Sequence, residues 1–233
     1  NCTAVQEKAP LISIIIPVYN GEKDLNQCFQ SIIDQTFDLK QCEVSIFDDS
    51  STDSTMEIIL KWKKLFKAKG LPLIHNDVNQ QGERTNRGAG YAKNAAVKQS
   101  CGKYLCFLDS DDTMMPDRLE KQYDYFVRYF EDCDRAVNGM ENLLLGSGFV
   151  RDPVDATQRY TRWCNSLSDE GLYLHQYREL TIIQPTWFMR RTWFHHVGGF
   201  RVNVDSDKGH FPSDLDFFHR HLDLSGKLAR IRE

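Results

Sequence analysis

Four short apolar runs in the first half of the chain are each followed by a segment whose apolar residues recur at helical spacing. The first run, residues 11–17, is almost continuously hydrophobic, which is typical of a strand covered on both faces. The runs at 43–47, 71–75 and 104–108 repeat the pattern. This alternation of strand and helix predicts an α/β fold, in which a mostly parallel central sheet carries helices on both faces.

Carboxylates follow two of these predicted strands. Asp48 and Asp49 end the second strand, and the fourth runs into Asp109, Asp111 and Asp112. Because parallel strands present their carboxyl ends at one rim, where ligands of such sheets bind, both clusters are expected at the same site. Adjacent carboxylates repel unless a cation or a hydrogen-bonding ligand lies between them, and hard oxygen ligands favour Mg²⁺ or Mn²⁺. The simpler alternative is that these acids cap the following helices.

Composition excludes several classes of function. The formal net charge of −4 argues against a general electrostatic attraction to nucleic acid or to acidic membranes. No apolar run is long enough to span a bilayer. The first strand–helix turn lacks the Gly-x-Gly-x-x-Gly motif of dinucleotide-binding dehydrogenases, and the Gly-Lys-Ser/Thr of a P-loop does not occur. A bound phosphate group is therefore expected to be held through a metal ion. Seven widely spaced cysteines favour reduced thiols and a cytoplasmic location.

Five segments together resemble the motifs of one enzyme family. They are similar to the family 2 glycosyltransferases, which adopt the Rossmann-like GT-A fold, and the resemblance covers almost the whole chain. The segments are Ser13–Asn20, Asp48–Asp53, Arg87–Asn94, Asp109–Asp111 and Ser213–Asp216. The resemblance implies a single catalytic domain over residues 11–233, with a nucleotide-binding half (11–118) and an acceptor-binding half (119–233). We expect residues 1–10 to be a disordered or tag-like N-terminus and the domain to be truncated at its C-terminus.

The resemblance also implies roles for individual residues. Asp111 would hold Mn²⁺ or Mg²⁺ on the diphosphate of a UDP-sugar, and Asp214 would be the catalytic base. Asp49 would read the uracil and Asp109 would lie near the ribose. The full set of implied donor-binding residues is Pro17, Tyr19, Asn20, Asp49, Arg87, Lys93, Asp109 and Trp187.

The residues themselves leave alternatives open for several of these roles. Asp214 is also explained as a first-turn acid that interacts with a helix dipole, with Ser213 as the N-cap; the family carries Glu where this chain has Ser213. Arg87 and Lys93 could be solvated loop charges, and Trp187 could belong to the core.

Three further stretches narrow the resemblance to a eukaryotic branch of the family. Arg159–Trp163, Pro185–Phe188 and Trp193–Gly198 look like the β-1,3-N-acetylglucosaminyltransferase-like proteins, also described as queuosine-tRNA galactosyltransferases. That branch implies transfer of galactose from UDP-galactose to queuosine in tRNA-Tyr. The sequence indicates no obligate protein partner. The negative net charge does not favour a tRNA substrate. A glycan-directed N-acetylglucosaminyltransferase and a non-catalytic UDP-sugar-binding module are the alternatives.

Overall fold

The computed structural model describes residues 9–76, 86–131, 141–202 and 212–232. Seven strands within these ranges form one sheet; they are β1 (Ile12–Val18), β2 (Cys42–Asp48), β3 (Leu73–His75), β4 (Tyr104–Phe107), β5 (Leu143–Ser147), β6 (Phe188–Arg190) and β7 (Lys227–Ile231). The α-helices in these ranges are α1 (Leu25–Ile33), α2 (Thr55–Ala68), α3 (Ala89–Gln99), α4 (Arg118–Glu131), α5 (Gln158–Ser166), α6 (Asp169–Leu174), α7 (Arg191–Val197) and α8 (Ser213–Asp223). The predicted N-terminal tail lies almost entirely outside the described residues.

The sheet has the strand order β3-β2-β1-β4-β6-β5-β7. β1 is central to the first half and pairs in parallel with β2 and β4, while β6 is antiparallel to both of its neighbours. β5 pairs in parallel with β7, so β6 is the one strand of the described sheet that runs in the opposite direction. The predicted mostly parallel α/β architecture is therefore confirmed.

The apolar run of β1 is explained by two separate cores. Ile14 and Ile16 face one hydrophobic cluster, which includes Phe29 of α1 and Phe126 of α4. Ile15 points the other way, into a cluster formed with α3, α7 and α8. Because alternate residues of a strand point to opposite faces, a sheet with helices on both sides requires an apolar residue at nearly every position.

Some local predictions were wrong or incomplete. Ser54 and Glu57 have the spacing of a capping box, but Ser54 makes no capping hydrogen bond; Asp53 instead accepts hydrogen bonds from the backbone N–H and the hydroxyl of Thr55. Helix α5 was not predicted, since only Cys164 of its residues is buried and most of its residues are polar. β7 was also missed: it carries Arg230, whose buried guanidinium donates to the carbonyls of Asn165 and Leu167.

No helix in the described ranges combines the length and the hydrophobicity that a membrane span requires.

His221 joins three elements in the second core. Its ring is fully buried on α8, where Nδ1 accepts a hydrogen bond from Nε1 of Trp193 and Nε2 contacts the carbonyl oxygen of Lys227. Because the indole can only donate and a carbonyl can only accept, the neutral tautomer protonated at Nε2 satisfies both contacts. Burial lowers the pKa of His221 from 6.5 to about 4, although the hydrogen bond to Lys227 acts in the opposite direction.

We expect this histidine to make folding stability pH-dependent. Below the unfolded-state pKa of 6.5 the unfolded chain takes up a proton that the folded chain does not accept until about pH 4. The free energy of unfolding should therefore fall by about 3 kcal/mol as the pH drops through this window. Urea unfolding of wild type and His221→Gln between neutral and acidic pH measures the difference; parallel pH profiles would contradict the prediction.

Candidate functional site

The carboxyl ends of β1, β2 and β4 meet at one rim of the sheet, where they line a cavity of about 190 Å³. The prediction that the two acidic clusters share a site is thereby confirmed. The cavity wall includes predicted donor and metal residues from three separate segments: Pro17, Tyr19, Asp49, Asp109 and Asp111. Tyr19 keeps about half of its surface exposed (48%), so its ring is free to contact a planar ligand.

Asp49 anchors the segment that leads into α3, and Asn86 of that segment lines the cavity. Its buried Oδ2 accepts hydrogen bonds from the backbone N–H groups of Arg87 and Gly88, at 2.9 and 2.7 Å. Burial raises the pKa of Asp49 above its usual value, whereas these two N–H donors act to lower it. The preceding Asp48 has a different role, because its Oδ1 accepts from the N–H of Ser51 and holds the turn.

Asp109 and Lys93 form an ion pair beneath the cavity. The Lys93 ammonium lies 3.0 Å from Oδ1 of Asp109 and also contacts Oε1 of Gln184. Lys93 is only 7% exposed, so the alternative that it is a solvated loop charge is wrong. Asp111 is the neighbouring carboxylate at the cavity, and it has no ion-pair partner among the described residues.

Removing the ammonium should leave a partly buried carboxylate unpaired. We expect Lys93→Met to lower the free energy of unfolding by about 3 kcal/mol, as is typical when one partner of a buried pair is lost. Urea titration measures the effect. The double variant Lys93→Met/Asp109→Asn is the control and should recover part of the loss; if it is as unstable as the sum of the single variants, the pair is not coupled.

Asp111 also lines a second, larger cavity. This space of about 420 Å³ lies on the side of α4 and includes Asp112, Arg151 and the carboxyl ends of β5 and β7. Burial raises the pKa of Asp112 to about 6, and the charges of Asp109 and Asp111 act in the same direction. Asp111 is thus the carboxylate at the junction of the two cavities.

Asp214 lies at the start of α8, which closely contacts the first turn of α3. A side-chain carbon at Gly90, near the start of α3, would lie 2.8 Å from the Ser213 hydroxyl, so only glycine allows α8 to begin there. Ser213 is a helical residue preceded by Pro212 and makes no capping bond, so the alternative that it is the N-cap is wrong. Asp214 is partly buried in the first turn, where its Oδ1 accepts from the N–H of Leu215.

Four predicted donor-binding residues do not line the smaller cavity: Asn20, Arg87, Trp187 and Lys93, which lies beneath it. Asn20 instead joins two turns: its N–H donates to Ser51, and its Oδ1 accepts from the N–H of Thr52. The guanidinium of Arg87 lies over the ring of Tyr91, 4.7 Å from the centroid.

Trp187 requires a correction. Its indole is fully buried, packs against Phe200 and Phe217, and donates its N–H to the carbonyl of Ile182. It therefore belongs to the core and has no surface to offer a donor sugar.

Sequence reasoning missed several residues that build the site. Gln184 holds the Lys93 ammonium, and Arg118 donates to the carbonyl oxygens of Phe107 and Pro185 directly beneath the acidic turn. Glutamine and arginine at such positions resemble ordinary surface residues in a sequence. Their roles depend on contacts between residues far apart in the chain.

A model of the glycosyl transferase family 2 matches residues 13–198. The chain belongs to glycosyltransferase family 2. Among its relatives is the poly(ribitol-phosphate) beta-N-acetylglucosaminyltransferase TarS of Staphylococcus aureus, which is 31% identical over 212 residues, or 85% of this chain. The chain spans 35% of that relative's length and less than half of the other leading curated relatives.

Solved structures share the GT-A fold of this chain. The structure of S. aureus TarS residues 1–349 with UDP-GlcNAc aligns with a TM-score of 0.57 at 22% identity, covering 96% of this chain and 59% of that one. The mannosyltransferase PcManGT from Pyrobaculum calidifontis, in complex with GDP-Man and Mn²⁺, aligns at 0.67 with 17% identity, covering 97% and 56%.

Proposed function

We propose that this domain transfers a hexose from a UDP-sugar to an acceptor hydroxyl, with a divalent cation and with inversion at the anomeric carbon. The observation that carries the proposal is the cavity at the ends of β1, β2 and β4. It brings Tyr19, Asp49, Asp109 and Asp111 together from segments that are far apart in the sequence. An aromatic ring, a buried carboxylate and a metal-binding carboxylate are the groups that a nucleoside diphosphate requires.

The carboxylate oxygens of the cavity suit a divalent cation that binds together with the nucleotide. No three His, Cys, Asp or Glu side chains stand together as a complete metal site in the described ranges. Mg²⁺ and Mn²⁺ commonly bind through one or two carboxylates together with substrate phosphates, and Asp111 supplies such a carboxylate. The bound cation would act as a Lewis acid that neutralises the charge developing on the leaving diphosphate.

The chain's own residues would orient the donor and accept a proton. Asp49 holds the segment before α3 and would accept a hydrogen bond from the nucleobase of the donor, while Asp109 would contact its ribose. The attacking hydroxyl must lose a proton, and Asp214 at the start of α8 is the carboxylate we assign to take it. Attack from the face opposite the nucleotide inverts the anomeric centre, so an α-linked donor yields a β-linked product.

For the substrates we propose galactose as the sugar and queuosine in tRNA-Tyr as the acceptor, in the cytoplasm. This proposal rests on the resemblance of Arg159–Trp163, Pro185–Phe188 and Trp193–Gly198 to the galactosyltransferase branch. The second candidate is N-acetylglucosaminyl transfer to a glycan. The similarity to a relative named as a beta-N-acetylglucosaminyltransferase favours it. A module that binds UDP-sugar without transferring it is the non-enzymatic alternative.

Mass spectrometry of modified nucleosides tests the proposal. The protein is incubated with Mn²⁺, queuosine-containing tRNA-Tyr and UDP-galactose, UDP-glucose or UDP-GlcNAc in turn, and the tRNA is then digested. A gain of one hexose with UDP-galactose is the expected result. The matched control is the same tRNA with guanosine in place of queuosine. If neither tRNA gains a hexose, the proposal that queuosine in tRNA is the acceptor is wrong. If no UDP is released with any donor and acceptor, the proposal that the protein is an enzyme is wrong.

A further inference from the structure

The solvent side of α2 and the turn that follows it carry a dense group of lysines. All five are exposed: Lys61, Lys63, Lys64, Lys67 and Lys69. Lys40 joins them from the short 3-10 helix before β2, since a side-chain carbon at Gly70, just after α2, would lie 3.6 Å from its Cγ. We call these six lysines the basic face. None of their ammonium groups forms an ion pair with a residue in the described ranges.

The positive charge of the basic face is a local departure from a chain whose net charge is −4. The one acid of α2 is Glu57, in its first turn, and Asp38 next to the 3-10 helix is engaged with the backbone N–H of Lys40. Lysines in the last turn of a helix interact favourably with its dipole, which accounts for Lys67 and Lys69. That effect falls off within one turn and does not explain the three lysines in the middle of α2.

Two leucines are exposed among these lysines. Leu60 keeps 45% and Leu65 keeps 46% of its surface accessible. The core does not require either of them, because α2 packs on it through the buried side chains of Ile59, Trp62 and Phe66. A surface that combines lysines with leucines matches the boundary of a lipid bilayer, where anionic headgroups lie above apolar acyl chains.

The basic face lies away from the nucleotide cavity. α2 begins at the rim of the sheet, where the hydroxyl of Thr55 accepts a hydrogen bond from the N–H of Gly21, three residues after β1. Its 14 residues extend over about 20 Å, and its end lies beside Lys40, which precedes the amino end of β2. The lysines therefore lie toward the opposite edge of the sheet, and a surface docked on them leaves the cavity open.

We propose that the basic face docks this domain on the surface of an anionic lipid membrane. A cluster of four to eight basic residues on a helix is typical of such docking, and each lysine near the surface strengthens binding about five-fold. Proteins that hold nucleic acid use arginine forks and exposed aromatic rings, whereas the basic face contains only lysines, and Trp62 of α2 is buried. The inference is independent of the proposed transfer reaction.

Co-sedimentation of the full chain with lipid vesicles tests the basic face. Vesicles of phosphatidylcholine alone are compared with vesicles in which about one-third of the lipid is phosphatidylserine. We expect binding to the anionic vesicles only, and that binding should weaken as salt is added. The triple variant Lys61→Gln/Lys64→Gln/Lys67→Gln should lower the partition coefficient about 100-fold. Leu60→Ser/Leu65→Ser keeps every charge and should lower it about five-fold through lost apolar contact.

The matched control is the triple variant Lys98→Gln/Lys103→Gln/Lys227→Gln. It changes the net charge by the same amount, but its exposed lysines lie on α3, before β4 and at the start of β7. The control should bind anionic vesicles as tightly as wild type. Equal losses in the two triple variants would show that only net charge matters, and binding that does not require phosphatidylserine would show that the lysines do not bind headgroups; either result overturns the inference.

Two further measurements separate docking from folding, from nucleic-acid binding and from catalysis. The thermal midpoint and the UDP affinity should stay at wild-type values in both triple variants, because the replaced side chains are exposed and lie outside the nucleotide cavity. Fluorescence anisotropy with a labelled duplex RNA should show weaker binding than the anionic vesicles. Tighter RNA binding that the α2 triple variant abolishes would assign the basic face to nucleic acid and overturn membrane docking. Vesicle binding without sugar transfer would overturn only the proposed function, while sugar transfer without vesicle binding would overturn only the docking surface.

Discussion

Asp111→Asn is expected to lower kcat by about 1000-fold or more and to abolish the dependence of UDP binding on Mn²⁺. Asp111 lies at the junction of both cavities, and it has no ion-pair partner within the described ranges that could compensate its charge. Asparagine keeps the shape of the side chain but cannot neutralise the cation that supports departure of the diphosphate. A Lewis acid lowers the activation free energy of such a step by several kcal/mol, and each 1.36 kcal/mol changes the rate by about a factor of ten.

The measurement is UDP release from UDP-sugar during a Mn²⁺ titration, combined with calorimetric UDP binding. Asp112→Asn is the matched control. Its carboxyl group is next in the chain but does not line the nucleotide cavity, so a neutral side chain should be tolerated there. We expect Asp112→Asn to keep its activity within about 10-fold of wild type. Unchanged metal dependence in Asp111→Asn would show that the cation is held elsewhere.

Asp214→Asn has the second large expected effect, a fall in kcat of about 100- to 10,000-fold with little change in the KM of the donor. The carboxylate is assigned to the proton transfer and not to donor binding, and it does not line the nucleotide cavity. The packing of α8 against α3 depends on the Gly90–Ser213 contact, which the substitution leaves in place. Steady-state kinetics over a range of donor concentrations separates kcat from KM.

Asp216→Asn is the control for this experiment. Asp216 lies two residues further along α8 and pairs with Arg201 and Arg220, so its loss should lower the thermal midpoint and leave kcat near wild type. If Asp214→Asn retained wild-type kcat, the explanation of Asp214 as a first-turn acid beside the helix dipole would replace the base. A parallel loss of UDP affinity would instead assign Asp214 to donor binding.

Much of the nucleotide-binding half could be predicted because its information is local. Each strand is a short apolar run, each acid follows its strand directly, and parallel pairing places those ends on one rim. Asp53 is equally local: it accepts hydrogen bonds from Thr55, two residues further along the chain.

The acceptor-binding half was harder to predict, because its elements depend on partners distant in the chain. α5 has few buried residues of its own, β7 pairs with β5 more than 80 residues earlier, and Pro185 lies in a short 3-10 helix before β6. Trp187 appeared available to a ligand because its burial comes from Phe200 and Phe217, which follow it in the sequence.

The sequence by itself determined the α/β alternation and the positions of the acids, and so the rim where a nucleoside diphosphate would bind. The reason is that strand hydrophobicity and the side-chain period of two are properties of contiguous residues. Only the tertiary structure decided which charged side chains of the site form ion pairs. It pairs Lys93 with Asp109, leaves Asp111 at the junction of two cavities, and places Arg151 at the larger one without an ion-pair partner among the described residues. Charge pairing is a matter of distances across the fold, and those distances arise when the helices pack.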